Sequence, residues 1–255
     1  MANGVATKRL AVLIDADNAS FKIADGLFEE IAKLGSATVR RIYGNFKSDQ
    51  MNGWIEVLAQ HAIAPQQHFA NTTGKNASDI ALVIDAMDLL HSGKLDGFCL
   101  VSSDSDFTRL AGRLREEGME VYGFGEQKTP PSFRHACSRF IYTENLIKLP
   151  AMKAGAVEPV QQQFKPIAEA QDLIVRAIGE VEGEGGWILL APLGSHIIKL
   201  ASDFDSRTYG FKKLTDLVRK LPNLELRQEG GHLAVRVGKQ EETSKRAAKS
   251  GTAKE

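Results

Sequence analysis

The sequence predicts an α/β domain with a mostly parallel central sheet, followed by a small winged helix-turn-helix. Three observations carry that reading. Short apolar runs alternate with segments of helical period through the first 150 residues. Two of those runs end in carboxylate clusters, at Asp15-Ala16-Asp17-Asn18 and at Ser102-Ser103-Asp104-Ser105-Asp106. Beyond residue 166, three helical stretches precede two short strand candidates around Glu229-Gly230-Gly231.

Taken in order, residues 10–14 form an apolar run that stops at Asp15, as a buried strand does. A helical pattern follows over Phe21, Ile23, Leu27, Phe28, Ile31 and Leu34, and Gly35 closes it. Residues 38–43 read as a second strand, the stretch near Trp54, Ile55 and Leu58 as a helix, and residues 63–69 as a weaker extended segment. The loop N-T-T-G-K-N-A-S is next. From Ser78, the residues Ile80, Leu82, Val83, Ile84, Met87, Leu89 and Leu90 make a helix too apolar to be fully solvated, ending near Ser92-Gly93. Residues 98–101, 107–114 and 119–124 then alternate strand, helix and strand, with Gly123 and Gly125 read as a tight turn after the fifth strand. Right-handed crossovers make such a sheet parallel, with ligand chemistry at the carboxyl ends of its strands near a topological switch point.

The expected boundaries are 1–150 for the α/β domain, 151–165 for a linker, 166–238 for the winged-helix unit and 239–255 for a tail. The linker is rich in Gln, Pro and small residues, and the tail lacks large apolar ones, so its composition is that of a disordered segment. Lys plus Arg and Asp plus Glu both number 32, giving zero formal charge. Any nucleic-acid binding must therefore come from local patches. No uncharged apolar run approaches the roughly 18 residues of a membrane span, and the opening MANGVATKRL has no apolar stretch, so the expectation is a soluble, cytoplasmic protein. Cys99 and Cys137 form no C-x-x-C pair and read as ordinary reduced thiols. The six histidines have no zinc-site spacing.

The carboxylates carry the functional reading. A nucleotide-binding strand end would have glycines where Asp15 and Asp17 stand, so phosphate at this edge would be repelled unless a divalent cation lay between. Helix capping explains Asp104, Asp106 and Asp79 taken singly. Parallel topology, however, brings all three clusters to one edge, where crowded like charges call for a cation. Oxygen donors without His or Cys favour Mg²⁺ or Mn²⁺ over zinc, and such a site suits phosphodiester hydrolysis. Lys75, four residues before Asp79, is a candidate to meet the phosphate's developing charge, a solvated surface lysine being the alternative.

The strand L-A-V-L-I-D-A-D-N-A-S, the segment K-N-A-S-D-I-A-L-V-I-D-A-M-D-L-L and the run F-C-L-V-S-S-D-S-D-F resemble, in order and spacing, the NYN domain of the PIN-like nuclease superfamily over about residues 9–148. The resemblance implies a Rossmannoid three-layer domain on a central parallel sheet, and a metal-dependent ribonuclease. It assigns the catalytic and metal-binding carboxylates to Asp15, Asp79, Asp104 and Asp106, with Asn18 supporting and Asp17 beside it. Asp85 lies six residues after Asp79, about 240° round the helix, and is a supporting residue only. The C-terminal stretches G-W-I-L-L-A-P-L-G-S-H-I-I-K, Y-G-F-K-K-L-T-D-L-V-R-K and L-E-L-R-Q-E-G-G-H-L-A-V-R-V are similar to the OST-HTH, or LOTUS, domain, a winged helix associated with RNA binding.

Lys199, Lys212, Lys213, Arg219 and Lys220 are the candidate RNA contacts, with Arg207 in the same group; a solvated polar face is the alternative. His135 is a weaker candidate for touching substrate. Tyr43, Phe46 and Trp54 belong either to a stacking platform for single-stranded RNA or to the core. Two other functions remain open on the sequence: a catalytically weak RNA-binding adaptor on the same folds, and a magnesium-dependent phosphatase of the haloacid dehalogenase type. The latter also places D-x-D after its first strand, but the usual following Thr or Val is missing here.

Overall fold

The computed structural model describes residues 6–46, 51–67, 77–147, 164–181, 183 and 186–238. The linker and tail expectations lie outside those residues. Six parallel strands form the first sheet: β1 (Arg9–Asp15), β2 (Ser36–Gly44), β3 (Ala64–Gln67), β4 (Gly97–Val101), β5 (Glu120–Gly125) and β6 (Arg139–Tyr142). Their spatial order is β3-β2-β1-β4-β5-β6, so the chain reverses its direction of winding between β1 and β4. That pair is the switch point, and its carboxyl ends open a crevice between neighbouring crossovers.

Both faces of the sheet are covered, which is why its central strands read as continuous apolar runs. Alternate residues of β1 serve opposite layers. Leu10, Val12 and Ile14 join a core with α1 (Ala24–Leu34) and Trp54 of α2 (Asn52–Leu58). Ala11 and Leu13 join another with α3 (Ala77–His91), α4 (Thr108–Glu116) and α5 (Pro131–Ala136). Each such side chain withdrawn from water stabilises the fold by roughly 1.5–3 kcal/mol before entropy is counted. Tyr43 and Trp54 are buried in these cores, the indole N–H donating to the Ala19 carbonyl, and Phe46 packs against one of them. Cys99 and Cys137 are free and buried.

Two elements exceed the sequence expectation. Pro131 occupies the first turn of α5, where its missing N–H has no partner to lose, and β6 follows as a four-residue edge strand. Gly123 and Gly125 are not turn residues; they lie inside β5. A Cβ on Gly123 would meet the Phe140 ring at 2.5 Å and the Cys137 sulfur at 2.6 Å, and one on Gly125 would meet the Ser102 carbonyl at 2.6 Å. Close approach of neighbouring segments, not a reversal of the chain, excludes a side chain there.

The second unit holds α6 (Ile167–Glu180), β7 (Ile188–Leu189), α7 (Leu190–Leu200), α8 (Leu214–Lys220), β8 (Leu224–Glu229) and β9 (His232–Val237), with an antiparallel sheet ordered β7-β9-β8. Pro192 fits within the first turn of α7, where backbone N–H groups are unpaired in any helix. The third helix begins at Leu214 rather than at Phe211, because Gly210 is left-handed (φ +86°) and Lys213 is extended.

The two units dock through polar contacts. The Phe140 N–H of edge strand β6 donates to the Ser202 carbonyl at 2.7 Å, and the Ser202 hydroxyl donates to the Arg134 carbonyl at 2.8 Å. Arg134 and the Tyr142 hydroxyl both donate to Asp203, and Asn145 donates to Thr208 at 3.0 Å. Burial works to raise the Asp203 carboxyl, but Tyr142, Arg134 and Lys165 outweigh it and hold it below the ordinary value. An edge strand that would otherwise offer unpaired backbone groups is thereby covered.

Candidate active site

Asp15 ends β1 with only 1% of its surface exposed. Its two oxygens are fully engaged. Oδ2 accepts from the Ser102 hydroxyl at 2.7 Å and the Asn18 amide at 2.9 Å, and Oδ1 accepts from the backbone N–H groups of Asp17 (3.1 Å) and Asn18 (3.3 Å). Burial pushes the carboxyl up and the donors from Ser102 and Asn18 pull it down, leaving it above the ordinary value.

Ser102 ties the two halves of the switch point together. While donating to Asp15, its oxygen accepts the Asp104 N–H at 3.0 Å, which fixes the loop after β4. Asp104 is the N-cap of a 3-10 turn over Ser105–Phe107 and accepts the Asp106 N–H at 2.9 Å. The capping expectation for Asp104 is thus met, and its cap does not remove the side chain from the cluster. Across the crevice, the Ser78 hydroxyl in the first turn of α3 donates to Asp17 at 3.1 Å. Ser102 and Ser78 are participants that sequence reasoning passed over, since serine beside a helix start is ordinary.

Asp79 shows that the carboxylates converge. Its carboxyl is pushed up to about 6, first by burial and then by the negative charges of Asp15, Asp104, Asp17 and Asp106. Three separate chain segments therefore put their acids within electrostatic reach at one end of the sheet. Among the described residues, no three His, Cys, Asp or Glu side chains lie close enough together to hold a metal ion as they stand. The donor set still fits a hard cation by its chemistry: oxygen atoms only, and a surplus of negative charge.

Other expected residues go elsewhere. Asp85 faces away from the cluster and accepts from Arg41 at 2.8 Å and the Tyr43 hydroxyl at 2.7 Å, anchoring α3 to β2. Lys75 lies outside the described residues. His135 lines a groove with Lys8 and Glu120, at the opposite ends of the strands from the acids. Lys199 lines that same groove, whereas Lys212 lines a different one with Asn145 and Phe164. Lys213 caps α8, and Arg219 and Lys220 fall in its last turn. Arg207 is committed to Asp205 and Glu30.

The model of the NYN domain matches residues 9–147, more than half of the chain. The chain belongs to the NYN family. Its NYN domain is followed by a match to the OST-HTH/LOTUS domain at residues 165–233, so the chain joins a domain of a nuclease family to one of an RNA-binding family. No curated protein matches the sequence. Among solved structures, this NYN protein is similar to a protein of unknown function from Vibrio parahaemolyticus, at 15% identity and TM-score 0.47, over 58% of this chain and 99% of that one. It is also similar to the solution structure of an uncharacterized protein from Nitrosomonas europaea, at 29% identity and TM-score 0.27, over 38% of this chain and 99% of that one. Among the described residues no helix is long and apolar enough to cross a membrane.

Proposed function

We propose that this chain is a metal-dependent ribonuclease that hydrolyses RNA phosphodiester bonds, with Mg²⁺ or Mn²⁺ at Asp15, Asp79, Asp104 and Asp106, and that its winged-helix unit holds single-stranded RNA. The observation that carries the reading is Asp79, lifted to about 6 beside four further aspartates at the switch point of a parallel sheet. A bound cation there would neutralise the acids and polarise the phosphate. The chain's own residues do the placing. Asp15 is held rigid by Ser102 and Asn18, Asp104 by its own turn, and Asp79 by α3, which Arg41 and Tyr43 fasten through Asp85. Lys75 would add positive charge near the phosphate. Lys212, Lys213, Arg219 and Lys220 would contact RNA phosphates, while Lys199 faces another groove.

One observation favours the adaptor reading, in which RNA is bound and not cut: the described acids do not form a closed ligand set as they stand. The two matched families give the phosphatase reading no support. Cleavage of single-stranded RNA by the purified chain, with Mg²⁺ or Mn²⁺ and with excess chelator, alongside Asp104→Asn, decides between nuclease and adaptor. Metal-dependent cleavage absent from the variant supports the nuclease. Equal cleavage by both proteins, or full cleavage in chelator, removes it.

A further inference from the structure

A cavity of about 200 Å³ opens directly beside the acidic cluster, on the α1 side of the β4 and β5 strand ends. It shares Asn18 with the cluster, since the same side chain that donates to Asp15 lines the cavity wall. Ser103, between Ser102 and Asp104, lines it as well. Its floor and outer wall are apolar: Phe124 is fully buried, and Ile147 is 43% exposed at the mouth. Two carboxylates, Glu126 and Glu144, stand among this lining.

These carboxylates are held in place. The Glu126 N–H donates to the Ser103 hydroxyl at 2.9 Å, and the Gln127 N–H donates to Glu144 Oε1 at 2.8 Å. The turn after β5 is therefore pinned to the loop after β4 on one side and to the turn after β6 on the other. The pocket combines apolar walls, room for one ring system, acceptor groups and a common residue with the site of phosphate chemistry.

A phosphate would be repelled by Glu126 and Glu144, so the occupant that fits is the base of a nucleotide whose phosphate lies at the acidic cluster. Carboxylates accept hydrogen bonds and donate none. Guanine presents adjacent donors, N1–H and the N2 amino group, that a carboxylate can take together. Adenine and cytosine each set an acceptor beside their amino group, and uracil flanks its single N–H with two carbonyls, so each would bring an oxygen or nitrogen lone pair against a carboxylate. We infer that this pocket takes one base of the RNA, next to the scissile phosphate, and that Glu126 and Glu144 make it selective for guanine. The inference rests on the proposed ribonuclease reading for the placement of the phosphate, but its selectivity is measurable by binding alone.

The test uses the full chain and fluorescein-labelled RNA pentamers UUNUU, with N each of the four bases, read by fluorescence anisotropy on the Asp104→Asn background so that no strand is cut. The guanine pentamer is expected to bind at least tenfold more tightly than the other three. Glu144→Gln keeps an acceptor for the Gln127 N–H while losing the paired acceptors, and Glu126→Gln does the same on the neighbouring side. At least one of the two is expected to cut the guanine preference below threefold with affinity for the uracil pentamer and the melting temperature unchanged. Equal binding of the four pentamers, or a guanine preference that survives both substitutions, overturns the pocket assignment. Failure of the wild-type chain to cleave RNA would overturn the nuclease reading and leave this selectivity readable.

Discussion

The guanidinium of Arg207 forks onto the carboxylate of Glu30 across the boundary between the two units, Nη1 to Oε2 at 3.1 Å and Nη2 to Oε1 at 3.2 Å. Glu30 is only 5% exposed, on α1 of the first unit. Burial works to raise its carboxyl, and Lys33 and Arg207 together hold it below the ordinary value. Asp205 binds the same guanidinium from within the second unit, so Arg207 joins one acid from each side. Planar bidentate pairing of this kind fixes orientation as well as distance.

Removing that arginine leaves a buried carboxylate with weaker company. Arg207→Ala is expected to cost about 2–3 kcal/mol, the low end for breaking a buried pair, because Lys33 still reaches Glu30 at 2.8 Å. It should also uncouple the units, so that calorimetry resolves two unfolding transitions where the wild-type chain shows one. A single transition at an unchanged temperature would show that the pair contributes nothing to docking.

Asp85 calls for a different expectation from its neighbour in sequence, Asp79. Its carboxylate serves Arg41 and Tyr43, and burial first, then Asp85, pushes the Tyr43 hydroxyl far above its ordinary value. Asp85→Ala should destabilise the chain by about 2–3 kcal/mol, the cost of stranding half-buried donors. Any loss of activity should come through displacement of α3. The check is a metal titration of the melting temperature: the Asp85→Ala protein keeps its response to Mg²⁺, and a lost response would place Asp85 among the metal ligands instead.

The helical angle from Asp79 to Asp85 was enough to separate these roles in the sequence, and the strand-end position of Asp15 and Asp104 was enough to find the cluster. What the sequence did not yield depended on partners from elsewhere in the chain. Gly123 resembles a turn glycine until Phe140 and Cys137 are seen beside it. Strand β6 is four residues long and has its outer edge covered by Ser202, which no local pattern announces. Ser102 is an unremarkable capping residue by sequence, and becomes the bridge between Asp15 and the β4 loop only when β1 and β4 are neighbours.

The crowding at Asp79 has a pH dependence whose sign is fixed. A carboxyl at about 6 in the folded chain and near 3.8 when unfolded binds its proton more tightly in the folded state. Stability rises with pH only where the unfolded state holds more protons, so this group lowers the stability of metal-free protein as pH climbs from about 4 to about 6. Urea denaturation in chelator across that window should show the fall, and Asp79→Asn should flatten it. An unaltered slope in the variant would mean that Asp79 does not feel the neighbouring charges.

Asp104→Asn tests the cluster most directly, because capping and charge make opposite predictions there. The Asp104 side chain accepts the Asp106 N–H at 2.9 Å, and asparagine caps a helix start about as well as aspartate, so the turn should survive the substitution. What disappears is one of the negative charges that press on Asp79. Unit charges about 4 Å apart at a near-surface effective dielectric interact by on the order of a few kcal/mol, which sets the upper scale of the relief. The variant should therefore melt at a higher temperature than wild type in chelator. A ligand that binds only the folded state raises stability by mass action, so Mg²⁺ or Mn²⁺ should lift the wild-type melting temperature and do little for the variant. Cleavage of RNA should vanish in the same protein. Scanning fluorimetry of both chains through a metal titration, beside the cleavage assay, reads all three effects. A variant that melts like wild type, responds to metal like wild type and still cuts RNA would reduce Asp104 to the cap of its turn.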